Sequence, residues 1–124
     1  MVIDDDLDSN QCIVNLLQKE GLETVGVLQA KKGIEYIQTG LFNLIVTEIL
    51  MPEMDGIEVL IWMKKDKIHI PVIAISGGGK IRPEYYLTLA QHFGAHHTFV
   101  KPVNTLLFLY AIRKCLNQTN ERTQ

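Results

Sequence analysis

The sequence is poor in cysteine. Cys12 and Cys115 are the only two in 124 residues, and they form no C-x-x-C pair. That excludes a disulfide-stapled scaffold and a dithiol redox centre. Both stand among apolar residues, so both are expected as buried thiols. Long hydrophobic runs are missing: none approaches the ~20 residues of a membrane helix. The start is acidic where a secretory signal is basic, so a cytoplasmic protein away from the membrane is expected. Excess charge is missing too. Twelve Lys and Arg against fourteen Asp and Glu leave a net charge of −2. That is too little of either sign to hold nucleic acid directly by bulk charge. His69, His92, His96 and His97 pair with no Cys or carboxylate at zinc-ligand spacing. The length suits one domain and leaves no room for a separate DNA-binding module.

What is present is a globular composition, 47% apolar and 21% charged. Four of the acids, Asp4, Asp5, Asp6 and Asp8, crowd into the first eight positions. Short β-type runs then alternate with helical patterns. The runs are Met1–Ile3, Glu23–Leu28, Leu44–Val46, Val72–Ile75 and His97–Val100. The third and fourth are continuously apolar, as strands covered on both faces are.

The intervals carry helical spacing. Cys12, Ile13, Leu16 and Leu17 mark one face of a first helix, with Asp8 and Gln11 as its capping box and Gly21 as its stop. Ile34 and Ile37 mark a second, ending near Gly40. A third starts near Asp55 with Val59, Leu60 and Met63 inward. A fourth starts near Pro83 with Leu87 and Ala90 inward and stops at Gly94. The last has Asn104 as N-cap and a stripe of Leu106, Leu109, Ile112 and Leu116. A domain over residues 1–117 and a polar tail over 118–124 are expected. Strands alternating with helices predict an α/β fold, a parallel sheet with helices on both faces. Ligands in such sheets bind beyond the carboxyl ends of the strands.

Those ends carry a consistent set of groups: Asp4 and Asp5 after the first strand, Glu48 after the third, Ser76 after the fourth, Lys101 after the fifth. Clustered carboxylates repel unless a cation joins them. A hard divalent ion such as Mg²⁺ is the natural partner of oxygen ligands. With the metal and Lys101 to neutralise charge, and Ser76 to donate a hydrogen bond, the set would hold a phosphoryl group. The Gly77-Gly78-Gly79-Lys80 run is not a P-loop, because that motif needs Gly at 74 and Ser or Thr at 81, where the chain has Ala74 and Ile81.

The stretches Val2-Ile3-Asp4-Asp5-Asp6, Asn43 to Gly56 (with Met51-Pro52-Glu53-Met54-Asp55-Gly56), Pro71 to Ser76 and Lys101-Pro102 together resemble the CheY-like receiver domain of two-component response regulators. The resemblance implies a flavodoxin-like three-layer α/β/α sandwich, with five parallel strands in order 2-1-3-4-5 and five helices. It implies a cis peptide between Lys101 and Pro102. It also implies Mg²⁺ held by Asp5, the Glu48 carboxylate and the Leu50 main-chain oxygen, with Asp4 acting through water. Ser76 is then the phosphoryl-sensing hydroxyl and Lys101 its pairing cation. The implied partners are a sensor histidine kinase or phosphotransfer protein. An output protein, an effector domain outside this sequence or a second copy would bind at the face of the fourth helix, fifth strand and fifth helix.

Three features depart from that family. Glu48 stands where the family has the phospho-accepting Asp. One extra methylene moves the carboxylate by ~1.5 Å, and a misplacement of ~1 Å costs about a hundredfold in transfer. Ordinary phosphorylation is therefore expected to be lost or severely weakened. The longer carboxylate would either mimic the phosphoryl group or leave a dead pocket. Thr98 stands where the family usually has a switch aromatic, and Phe99 is expected on the opposite face by strand alternation. The loop after Ser76 is unusually glycine-rich. The expected role is a signalling module rather than an enzyme. The alternatives are a phosphorylation-independent interaction or dimerisation domain, and a small Mg²⁺-dependent phosphatase with Asp5 or Glu48 as nucleophile.

Overall fold

A computed structural model describes residues 1–77 and 82–123, with side chains to residue 117. The alternation read from the sequence appears as β1 (Val2–Ile3), α1 (Leu7–Lys19), β2 (Gly26–Val27), α2 (Ala30–Ile37), β3 (Ile45–Glu48), α3 (Gly56–Lys65), β4 (Val72–Ser76), α4 (Pro83–His92), β5 (His97–Val100) and α5 (Thr105–Thr123). All pairings are parallel, in the order β2-β1-β3-β4-β5. This is the flavodoxin-like α/β/α sandwich. No helix among the described residues is long and apolar enough to cross a membrane.

The period-2 alternation of the strands builds the two apolar layers. Ile3, Ile45, Val72 and Ala74 face α2, α3 and α4 with Ile37, Val59, Leu60 and Met63. Val2, Val46, Ile73 and Ile75 face α1 and α5 with Ile13, Leu17, Phe108 and Ile112. Because β3 and β4 are covered on both faces, every residue in both is buried. Their C-terminal residues, Glu48 and Ser76, are thereby delivered side by side at one end of the sheet.

Several local expectations are corrected. The α1 N-cap is Asp6, whose Oδ1 accepts from Ser9 N–H at 3.0 Å, and Asp8 sits in the first turn instead. Cys12 is exposed, while Cys115 is buried. The inward residues of α1 are Asn10, Ile13, Val14 and Leu17. On α5 the buried set is Phe108, Ala111, Ile112 and Cys115, and Leu106 is 80% exposed. Asn104 does cap α5, accepting from Leu107 N–H at 3.1 Å. Helix α5 spans Thr105–Thr123. Residues Gly78, Gly79 and Lys80 of the glycine-rich loop lie outside the described residues.

Three helices end with the same paired bonds. In α1, Gly21 N–H reaches Gln18 O and Leu22 N–H reaches Leu17 O; in α4, Gly94 N–H reaches Gln91 O and Ala95 N–H reaches Ala90 O. In α3, Lys67 N–H reaches Lys64 O and Ile68 N–H reaches Met63 O. This ending needs one left-handed residue. Gly21 (φ 82°) and Gly94 (φ 108°) supply it without strain, but α3 uses Lys67 (φ 57°). A side chain there costs about 1 kcal/mol relative to glycine.

Gly56 opens α3 directly beneath the end of β3, its N–H donating to Ile49 O at 2.7 Å. A Cβ at this position would stand 2.5 Å from Glu48 O and 3.0 Å from Ile49 Cα, both backbone atoms that cannot swing aside. Gly56→Ala is expected to lower stability by about 1–3 kcal/mol, read as the midpoint of urea unfolding. An unchanged midpoint would contradict this packing.

Candidate functional site: an acidic pocket with one lysine

The site is assembled from the C-terminal ends of β1, β3, β4 and β5. Asp4 follows β1 and is 2% exposed. Its Oδ2 accepts from Lys101 Nζ at 2.6 Å, and its Oδ1 accepts from Asp6 N–H at 3.0 Å. Lys101 follows β5, and the Lys101–Pro102 peptide is cis, as the resemblance implied. Asp4 and Lys101 are 97 residues apart in sequence. The strand order places the ends of β3 and β4 between them.

Glu48 is 5% exposed. Its Oε1 accepts from Gly77 N–H at 3.2 Å and lies 3.8 Å from Lys101 Nζ. Its Oε2 is buried with no hydrogen-bond partner among the described residues, and so is Ser76 Oγ. Burial pushes the Glu48 carboxyl up to about 7; Lys101 opposes the shift, the Asp4 charge adds to it, and the Gly77 N–H opposes it. Asp5 is exposed and Leu50 half-buried. Among the described residues, no three acid, imidazole or thiol side chains are gathered to hold a metal ion.

Thr98 lies on the α4 side of β5, where its Oγ1 accepts from Gln91 Nε2 at 3.3 Å. Phe99 points the other way and stacks edge-on against Phe108 at 5.5 Å between centroids. The expected separation of the two residues onto opposite faces is therefore present. No ring stands at the switch position.

Asn10 was not among the residues singled out from the sequence. Its side-chain amide donates to Asp4 O at 3.0 Å and Val27 O at 2.8 Å. It ties α1 to the ends of β1 and β2 and fixes the backbone that carries Asp4. The signal was available: Asn10, Ile13, Val14 and Leu17 follow the i, i+3, i+4, i+7 spacing of an inward stripe. A polar residue on such a stripe needs a partner. The Gly77 N–H contact had no sequence signal, since a main-chain donor is available at any non-proline residue.

Residues 1–113 match the response regulator receiver domain. The chain belongs to that family. The receiver domain is 25% identical over 122 residues to the uncharacterized transcriptional regulatory protein YcbL of Bacillus subtilis, covering 98% of this chain but 52% of that protein. It is 25% identical to the polar-differentiation response regulator DivK of Brucella ovis, covering 94% of each. Among solved structures, a response regulator receiver domain protein from Clostridium thermocellum superposes with a TM-score of 0.86 at 27% identity, over 96% of this chain and 94% of that one. The receiver domain of NtrX from Brucella abortus does so with a TM-score of 0.84 at 25% identity, over 94% and 96%. The chain thus spans about half the length of YcbL and 94% of DivK.

The Glu48 carboxyl carries a pH signature. Its folded-state value of about 7 lies above its ordinary 4.5. Between these limits the folded state binds more protons than the unfolded state, so stability from this group falls as pH rises from 4.5 to 7. In chelator-treated protein, Glu48→Gln is expected to flatten that slope. The stability difference between native chain and variant is expected to shift by up to about 3 kcal/mol across the window, read by urea unfolding at stepped pH. Parallel curves would contradict a buried Glu48 carboxyl raised by desolvation.

Proposed function

We propose that this chain is a cytoplasmic receiver module that signals without accepting phosphate, using Glu48 as a resident carboxyl in the phosphoryl position. The observation that carries the reading is the bond from Gly77 N–H to Glu48 Oε1, 3.2 Å long, with Lys101 Nζ at 3.8 Å on the same oxygen. A phosphoryl group on an acceptor at this strand end would call on the same donors. With Oε1 held there, the carboxylate is poorly placed as a nucleophile for in-line transfer. Ser76 Oγ is without a partner among the described residues, so the hydroxyl part of the site is not engaged by Glu48.

The pocket also suits Mg²⁺. Its donors are hard oxygens, and the orphaned Glu48 Oε2 is the observation that supports a cation. The residues that would hold it are Asp5, Glu48 and the Leu50 main-chain oxygen, with Asp4 through water. The ion would neutralise the carboxylates; the rest of the site's behaviour belongs to Lys101, Gly77 and Ser76. A phosphatase reading has no comparable support, since Lys101 is committed first to Asp4 at 2.6 Å.

Partner binding is then the output. The face formed by α4, β5 and α5 exposes Tyr85 (58%), Val100 (38%), Leu107 (59%) and Tyr110 (63%). Arg113 turns the other side of α5 toward α1 by bonding Glu20 at 2.7 Å. Lys114 Nζ lies over the Tyr110 ring at 5.9 Å, so the face joins aromatic and apolar surface to a cation, which suits an output protein, an effector domain outside this sequence or a second copy. A sensor kinase or phosphotransfer protein would bind without productive transfer.

Incubation with acetyl phosphate and Mg²⁺, followed by intact-mass analysis, tests the reading. No acyl phosphate is expected on the native chain, and Glu48→Asp is expected to acquire one. A stable acyl phosphate on Glu48 would overturn the proposal.

A further inference from the structure

The opposite end of the sheet carries a second concave feature, a groove of about 380 Å³ between the C-terminal ends of α3 and α4. Five basic side chains line it: Lys64, Lys67, His69, His92 and His96. No carboxylate does, although the chain has more acids than Lys and Arg. The nearest acid in sequence, Asp66, is exposed and does not line the groove. The floor is apolar, built from Met63, Ile68 and Phe93 among others. His92 stacks edge-on against Phe93 at 5.1 Å. His96 is held in place because its Nδ1 accepts Val72 N–H at 3.3 Å.

Lys64 and His92 lie in the last turns of α3 and α4, where a cation offsets the carbonyl end of a helix. That accounts for two of the five. His96 serves the start of β4 by accepting the Val72 N–H, which leaves Lys67 and His69, both outside the two helices. Lys67 adds an independent observation. It occupies the left-handed position that α1 and α4 give to glycine, and does so on the rim of this groove. Glu53 and Arg82 are left-handed as well, away from the groove, so what Lys67 adds is its place: the turn that ends α3 sets its ammonium beside that of Lys64 and the imidazole of His69.

We propose that this groove binds a small organic anion, with an acidic head on the lysines and histidines and an apolar ring on the floor. The volume falls within the roughly 300–1,000 Å³ of small-ligand sites. Arginine is absent from the lining, so the head is met by point charges and imidazoles rather than by a bidentate fork. A compact dianion such as a phosphomonoester is the best match. The site is separate from the acidic pocket and does not depend on the reading of Glu48.

Phenyl phosphate is the probe. In ¹H–¹⁵N NMR titrations of the full chain, shifts are expected in residues 63–72 and 92–97, with inorganic phosphate and phenol each binding more weakly. Lys67→Gly is expected to raise the urea midpoint, by relieving the left-handed backbone, and to weaken the probe about fivefold. Lys67→Gln, which keeps a side chain there, is expected to weaken it similarly. The proposal is overturned if the shifts map to the Asp4–Lys101 pocket or are absent at millimolar probe. It is also overturned if inorganic phosphate binds as tightly as phenyl phosphate, or if Lys67→Gly leaves affinity unchanged.

Discussion

The ammonium of Lys101 meets the carboxylate of Asp4 at 2.6 Å, across the ends of two strands that are not neighbours in the sheet. Much else depends on this contact. Asp4 is almost fully buried, and a buried carboxylate without a cation is strongly unfavourable. The pair in turn limits what Lys101 offers to Glu48, which lies 3.8 Å away and keeps one oxygen unpartnered among the described residues. Glu48 therefore bears the cost of burial with only partial compensation, and its carboxyl is driven up to about 7. The pocket is held together by a cation that is shared unequally between two acids.

The architecture was legible because two simple periods dominate the chain. The continuously apolar runs Leu44–Val46 and Val72–Ile75 announced a sheet covered on both sides, and the glycines at 21 and 94 marked real helix ends. The site was legible to the extent that the strand-end rule gathers residues: Asp4, Glu48, Ser76 and Lys101 do converge. How they pair was not legible. Whether Lys101 serves Asp4 or Glu48 is decided by ångström-scale placement across 97 residues of chain.

The misses have local causes. With Asp at 4, 5, 6 and 8, more than one acid could cap α1, and the turn made by Asp4 and Asp6 settled it on Asp6. On α5, Leu106, Leu107, Phe108 and Leu109 are consecutive and apolar. Composition alone cannot say which faces the sheet. The large Phe108 took the buried position against Phe99, and this turned Leu106 outward. Cys12 went outward because Asn10 joined the inward stripe to satisfy the carbonyls of Asp4 and Val27.

Unequal sharing of Lys101 is the central claim, and paired double-mutant cycles measure it directly. One cycle joins Asp4→Asn with Lys101→Met, the other Glu48→Gln with Lys101→Met, each read by urea unfolding at neutral pH with chelator present. A coupling of about 1–3 kcal/mol is expected for Asp4 and Lys101, the range seen for residues in contact, with a smaller coupling for Glu48 and Lys101. Equal couplings, a larger one to Glu48, or none to Asp4 would contradict the account.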